Sequence, residues 1–209
     1  MILSILTPAV PARLEALARL CREIEGQIGA RAVEHLVLLD NKRRTVGGKR
    51  DALLRAARGK YVSFCDDDDW VGPDYVPSIL EAAASNPDVI TFRQHCTVDG
   101  EEGEIEFGLG NPNEAFCPGG TARRNAWHVC AWRRSLAILS HFPAVNYGED
   151  WAFAGPLCEL PGLREEHVGR VLHFYQYDSR KSEAPPPGGA GKSVVPTPKA
   201  ECADMERRL

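Results

Sequence analysis

Asp66, Asp67, Asp68 and Asp69 stand side by side after the apolar run Tyr61-Val62-Ser63-Phe64-Cys65 and before Trp70. Four adjacent carboxylates repel one another, and burying them unpaired is costly. A divalent cation absorbs such charge. Mg²⁺ and Mn²⁺ prefer hard oxygen ligands, commonly one or two carboxylates together with substrate phosphates. Asp66 and Asp68, spaced Asp-x-Asp behind a run of strand formers, place two such ligands at a strand's C-terminal edge. Open α/β sheets bind their ligands at that edge. The competing reading is a solvated acidic turn whose Asp69 caps a helix beginning near Pro73. An EF-hand loop does not fit, because no glycine or distal glutamate falls at the required offsets.

Three other groups carry chemistry. Lys49 and Arg50 follow Gly47-Gly48 at a helix start, where backbone amides favour anions and basic side chains add charge. Lys42-Arg43-Arg44 form a basic run, read either as a solvated loop or as a screen for phosphates. Glu149-Asp150 offers a carboxylate for removing a proton from a hydroxyl, although two acids at a helix start also suit the helix dipole by themselves. Gly191-Lys192-Ser193 is not a phosphate loop: the position five residues before Gly191 is Pro186, and no apolar strand precedes it.

These residues need a scaffold, and the chain of 209 residues is long enough for one domain with a proper core. With 44% hydrophobic and 26% charged residues it reads as an ordinary globular protein. A net charge of −4 gives no electrostatic reason to expect nucleic acid. No apolar run reaches the length of a membrane span and no signal peptide is visible. Seven scattered cysteines without a Cys-x-x-Cys pair read as reduced thiols of a cytoplasmic protein. Short apolar runs predict strands over residues 2–6, 33–39, 61–65 and 88–92. Between them, helical spacing predicts helices over 11–26, 48–58 and 73–84. This β-α-β-α-β-α-β order is that of a parallel doubly wound sheet. Asp-Gly, Glu-Gly and Pro-Gly-Gly turns in 97–120 predict hairpins around a strand at 104–107. Helices are expected at 133–139 and 149–160, and a last strand at 167–177. The Pro/Gly-rich stretch after Ser182 lacks the composition for a core and predicts a flexible tail over 183–209.

Taken in order, Leu36-Val-Leu-Leu-Asp40-Asn41, Gly47-Gly48-Lys49-Arg50, Arg58-Gly59, Asp66-Asp67-Asp68-Asp69-Trp70 and Tyr147-Gly148-Glu149-Asp150-Trp151 resemble an inverting family 2 glycosyltransferase of the GT-A fold. The likeness covers about residues 1–180. It implies an α/β fold with a Rossmann-like, mostly parallel sheet flanked by helices and a smaller mixed acceptor-side region. One domain would span 1–182, with a nucleotide-binding half at 1–95 and an acceptor half at 96–182. By the same resemblance Asp68 binds Mn²⁺ or Mg²⁺ directly, and Asp66 lies nearer the ribose or reaches the metal through water. Asp67 lies beside them in the donor site. Asp40 accepts from a base N3–H, which favours a UDP-sugar donor. Thr7 and Pro8 wall the base site, while Lys49 and Arg50 face the diphosphate, Arg50 above all. Asp150 is the base and Glu149 its neighbour. His173 is a candidate to complete the metal shell, and His128 to touch donor or acceptor. The acceptor stays open among saccharide, lipid-linked sugar, protein and modified nucleobase. Arg123, Arg124, Arg133 and Arg134 would greet an anionic one. The rival readings are a sugar-nucleotide nucleotidyltransferase-like enzyme and a non-catalytic scaffold that binds nucleotide sugars.

Overall fold

The computed structural model describes residues 1–179, so the tail expected over 183–209 lies outside the described residues. β1 (Leu3–Ala9) is buried along its whole length. It lies between β2 (Val33–Leu39) and β3 (Tyr61–Phe64), parallel to both. A strand buried on both faces has no solvent side, so β1 is mostly apolar and its two polar side chains are bonded, Ser4 to Glu34 and Thr7 to His35. α1 (Leu14–Ile28) follows β1 and buries Leu17, Leu20 and Ile24 at helical spacing. α2 (Val46–Ala56) starts at Thr45, whose hydroxyl accepts the Gly48 N–H at 3.1 Å. α3 (Tyr75–Ala82) follows the two-residue β4 (Trp70–Val71).

Beyond β3 the sheet is mixed. Its order is β2-β1-β3, then β8 (Ala131–Arg133), β5 (Val89–Val98), β6 (Glu101–Phe107) and β7 (Thr121–Arg124). β5 (Val89–Val98) does not lie beside β3, as a simple parallel continuation would have it. The short β8 (Ala131–Arg133) sits between them, antiparallel to both. Its centre is Trp132, fully buried and paired with Val62 on one side and Val89 on the other. Three residues are too few for a periodicity signal. The helix expected over 133–139 accordingly shrinks to α4 (Arg134–Ala137) behind that strand.

β5 forms a hairpin with β6 (Glu101–Phe107) through Asp99-Gly100, both at positive φ. It runs past the expected end at residue 92 because residues 93–98 keep pairing with β6. β7 (Thr121–Arg124) closes that edge. α5 (Glu149–Cys158) and β9 (Glu165–Tyr177) complete the fold. β9 lies parallel to β5, with register shifts near Arg93, and antiparallel to β4. That second pairing sets Val71 against His173 and so carries the aspartate turn onto β9. Among the described residues no helix is long and apolar enough to cross a membrane. Cys21, Cys65, Cys96, Cys130 and Cys158 are free thiols. The expectation of seven reduced thiols fails at Cys117, which is disulfide-bonded, and Cys202 lies outside the described residues.

Candidate active site

The aspartate turn divides its four carboxylates between two sides. Asp69 donates its N–H to the Asp66 carbonyl at 3.1 Å, which folds the stretch into a turn. Asp67 is fully buried. Its carboxylate accepts the Val10 N–H at 2.8 Å and lies 3.0 Å from Arg13 Nε. Burial pushes this carboxyl up to about 6, against the opposing pull of the Val10 N–H and Arg13. Asp67 therefore stitches the turn to the loop after β1. Asp68 is partly exposed, with 45% of its side chain accessible, and bonded to the Arg13 guanidinium. Burial raises its carboxyl too, with Arg13 opposing.

Asp69 is buried against His173, Oδ2 to Nε2 at 3.4 Å. Burial, and then the charges of Asp66 and Asp68, hold Asp69 well above the ordinary carboxylate range. His173 is wholly buried, and Gln94 Nε2 meets its Nδ1 at 2.9 Å. Burial lowers its imidazole to about 4, so it is neutral at physiological pH. The resemblance pointed His173 at a metal, but here one ring nitrogen is engaged by Gln94 and the other faces Asp69. Among the described residues no group of three His, Cys, Asp or Glu side chains is gathered to hold a metal. Asp66 and Asp68 keep part of their carboxylate surface in solvent. Two accessible hard-oxygen groups suit a magnesium or manganese ion that takes its remaining ligands from phosphates and water.

α2 supplies the positive charge. Arg50 is buried on its first turns. One terminal nitrogen meets both Asp66 oxygens at 2.8 and 2.7 Å, and the other lies 3.1 Å from Glu149 Oε1. Burial works against the charge, but Asp66 and Glu149 outweigh it and raise the guanidinium above its ordinary range. Lys49 is also buried. It donates to the Ala9 carbonyl at 2.9 Å and lies 3.4 Å from Asp40 Oδ1. Asp40 also accepts the Arg44 N–H at 3.0 Å. Lys49 thus ties Asp40 to the end of β1, where Thr7 and Pro8 are buried. The Thr7 hydroxyl faces His35 Nε2 at 2.9 Å. Asp40 and Lys49 meet at the Ala9 carbonyl that follows Thr7 and Pro8 on β1, and Arg50, Asp66 and Glu149 form a second group; Lys49 and Arg50 anchor the two on the first turns of α2.

Gly47 explains how α5 reaches α2. A Cβ on it would lie 1.9 Å from the Pro143 carbonyl and 3.1 Å from Glu149 Cβ, so only glycine permits this approach. The Gly47 N–H donates to the Val145 carbonyl and the Val46 N–H to Asn146 Oδ1, both at 3.0 Å. Gly148 at φ 79° then opens α5. Glu149 is buried against Arg50, and burial raises its carboxyl despite that partner. Asp150 is half-exposed and accepts the Trp151 N–H at 2.8 Å.

His128 is buried between Phe64 and Trp127, and burial holds its imidazole well below the ordinary range. Three of the four arginines expected on the acceptor side are otherwise engaged, while the Arg134 Nε is buried without a hydrogen-bond partner among the described residues. Arg133 binds Asp88, Asn86 and the Pro87 carbonyl. Arg123 binds Asn111, and Arg124 the Glu114 carbonyl. Sequence reasoning missed Arg13. The one available hint was that four aspartates need a counter-charge and that the loop after β1 carries a single arginine.

Residues 30–137, just over half of the chain, match glycosyl transferase family 2. The chain belongs to that family and has the GT-A fold. Among solved structures it resembles S. aureus TarS residues 1–349 in complex with UDP-GlcNAc, at TM-score 0.60 and 14% identity. That match covers 88% of this chain and 62% of the other. A second TarS structure gives a TM-score of 0.58 at 14% identity, over 84% of this chain and 37% of that one. Over 45 residues the chain is 38% identical to EpsH of Bacillus subtilis (strain 168). Those residues are 22% of this chain and 13% of EpsH, so the chain spans only part of the proteins it matches.

Proposed function

We propose that this chain is a metal-dependent, inverting glycosyltransferase that moves a sugar from a UDP-sugar to an acceptor hydroxyl. Residues 1–95 hold the nucleotide and 96–182 the acceptor side of one domain. The observation that carries this reading is Arg50, which joins the metal-side carboxylate Asp66 to Glu149 beside the base. Asp68 and Asp66 are the ligands for Mn²⁺ or Mg²⁺. Such an ion, when bound, stabilises the negative charge that grows on the leaving diphosphate. Asp40, held by Lys49, receives the uracil N3–H, and the backbone of Thr7 and Pro8 walls the base. Arg50 offers its charge to the diphosphate from the helix start. Asp67 holds the turn in place, and His173 with Gln94 backs it through Asp69. Asp150, half-exposed at the start of α5, takes the acceptor proton. A single base and direct displacement give inversion at the anomeric carbon.

The test is UDP release. The protein is incubated with UDP-glucose, UDP-galactose and UDP-N-acetylglucosamine, with Mn²⁺ and then with EDTA. At least one donor should release UDP slowly by hydrolysis, and EDTA should stop it. Binding of a donor with no turnover, even in the presence of an acceptor library, would return the chain to the scaffold reading.

A further inference from the structure

We infer that Trp127 and Trp151 form a stacking platform for a pyranose ring, which makes the acceptor a saccharide. This rests on reading Asp150 as the base. Trp151 follows Asp150 on the first turn of α5 and is 54% exposed. Trp127 comes from the segment between β7 and β8. The two ring centres lie 5.2 Å apart with planes inclined at 55°. Trp127 is anchored: its carbonyl accepts Trp132 Nε1–H at 2.9 Å, and its N–H faces Cys130 Sγ at 3.4 Å. With its backbone so held, the Trp127 indole packs partly buried against the core, and the other indole stands beside it in solvent.

An indole that exposed gives up hydrophobic stabilisation that burial would supply. Carbohydrate recognition accounts for the arrangement. One face of a pyranose is a patch of C–H groups, which suits the electron-rich face of an indole. Its rim is hydroxyls, which suit acceptor-only carboxylates. Trp151 and Asp150 present these two chemistries on adjacent residues.

Other acceptor classes fit less well. A polyanion would meet Asp66, Glu149 and Asp150 around Arg50, while Arg123, Arg124 and Arg133 are bonded elsewhere. A flat base inserts best between parallel rings, and these rings are inclined.

Saturation-transfer NMR on the full chain with UDP and Mn²⁺ tests this. The probes are the methyl glycosides of glucose, galactose, mannose and N-acetylglucosamine, with adenosine and phosphatidylglycerol vesicles as alternative ligands. At least one glycoside should receive saturation on its ring C–H protons. Trp151→Ala should weaken that binding about tenfold or more and leave UDP binding unchanged. Trp127→Phe, which keeps a ring in the wall, should weaken it less. The inference is overturned if a protein that binds UDP binds no glycoside, if Trp151→Ala binds as well as the parent, or if adenosine or the vesicles bind instead. Loss of the UDP signal itself would refute the donor reading, and the platform with it.

Discussion

Arg50 and Asp66 are locked together through one guanidinium nitrogen, 2.7 and 2.8 Å from the two carboxylate oxygens, in a setting that leaves Arg50 almost no exposure. The other terminal nitrogen faces Glu149 at 3.1 Å. One buried cation therefore fixes the end of β3 relative to the start of α5, two elements far apart in sequence. Removing it leaves the buried Glu149 and the partly buried Asp66 without that partner.

Arg50→Ala should destabilise the fold by about 3–5 kcal/mol, the usual cost of breaking a buried ion pair. Arg50→Lys keeps the charge but cannot reach both acids in the same way, so it should recover only part of the loss. Urea unfolding of the three proteins measures this. Equal midpoints would show that the bridge contributes nothing to the fold.

Gly47→Ala should be unexpectedly damaging for a helix position, where alanine is normally the better residue. The added methyl meets the Pro143 carbonyl and must push the 143–148 segment away, Glu149 and Asp150 with it. Thermal melting should shift down, and UDP release should fall. A raised melting temperature would mean that the contact is loose.

His35 predicts a pH effect. Burial lowers its imidazole to about 4, from an ordinary value near 6.5. The unfolded chain therefore binds the extra proton first. The stability that neutral His35 contributes is present above about pH 6.5 and is lost as pH falls toward 4. The slope of this single site reaches at most about 1.4 kcal/mol per pH unit. Denaturant unfolding at several pH values should show a shallower acid slope in His35→Gln. Identical slopes would refute the assignment.

Asp150→Asn preserves shape and removes basicity. Transfer should fall by about 10²–10⁴-fold with donor affinity nearly unchanged. Unaltered turnover would make Asp150 a helix-start residue and place the base elsewhere.

The sequence was most legible where one element carries its own signal. β2, β3 and α2 stand close to the expected bounds, whereas β1 runs through Thr7-Pro8, the expected stop, to Ala9. The buried strands β1 and β3 read as largely apolar runs, and the Gly47-Gly48 start is local chemistry. The acceptor half was harder to read. β8 is three residues long, and its place between β3 and β5 is decided by burial of Trp132 rather than by local pattern. Likewise the four aspartates were visible, but not their division of labour. Asp67 is turned inward by Val10 and Arg13, and Asp69 by His173, both through contacts with residues remote in sequence.

The central claim is that Asp68 and Asp66 hold a divalent ion against the diphosphate of a uridine nucleotide. Calorimetric titration of UDP into the parent protein and into Asp68→Ala, each with Mn²⁺ and with EDTA, tests it most directly. The account predicts binding to the parent that weakens sharply in EDTA, and weak binding to Asp68→Ala that no longer responds to Mn²⁺. Equally tight, EDTA-insensitive UDP binding by both proteins would contradict it.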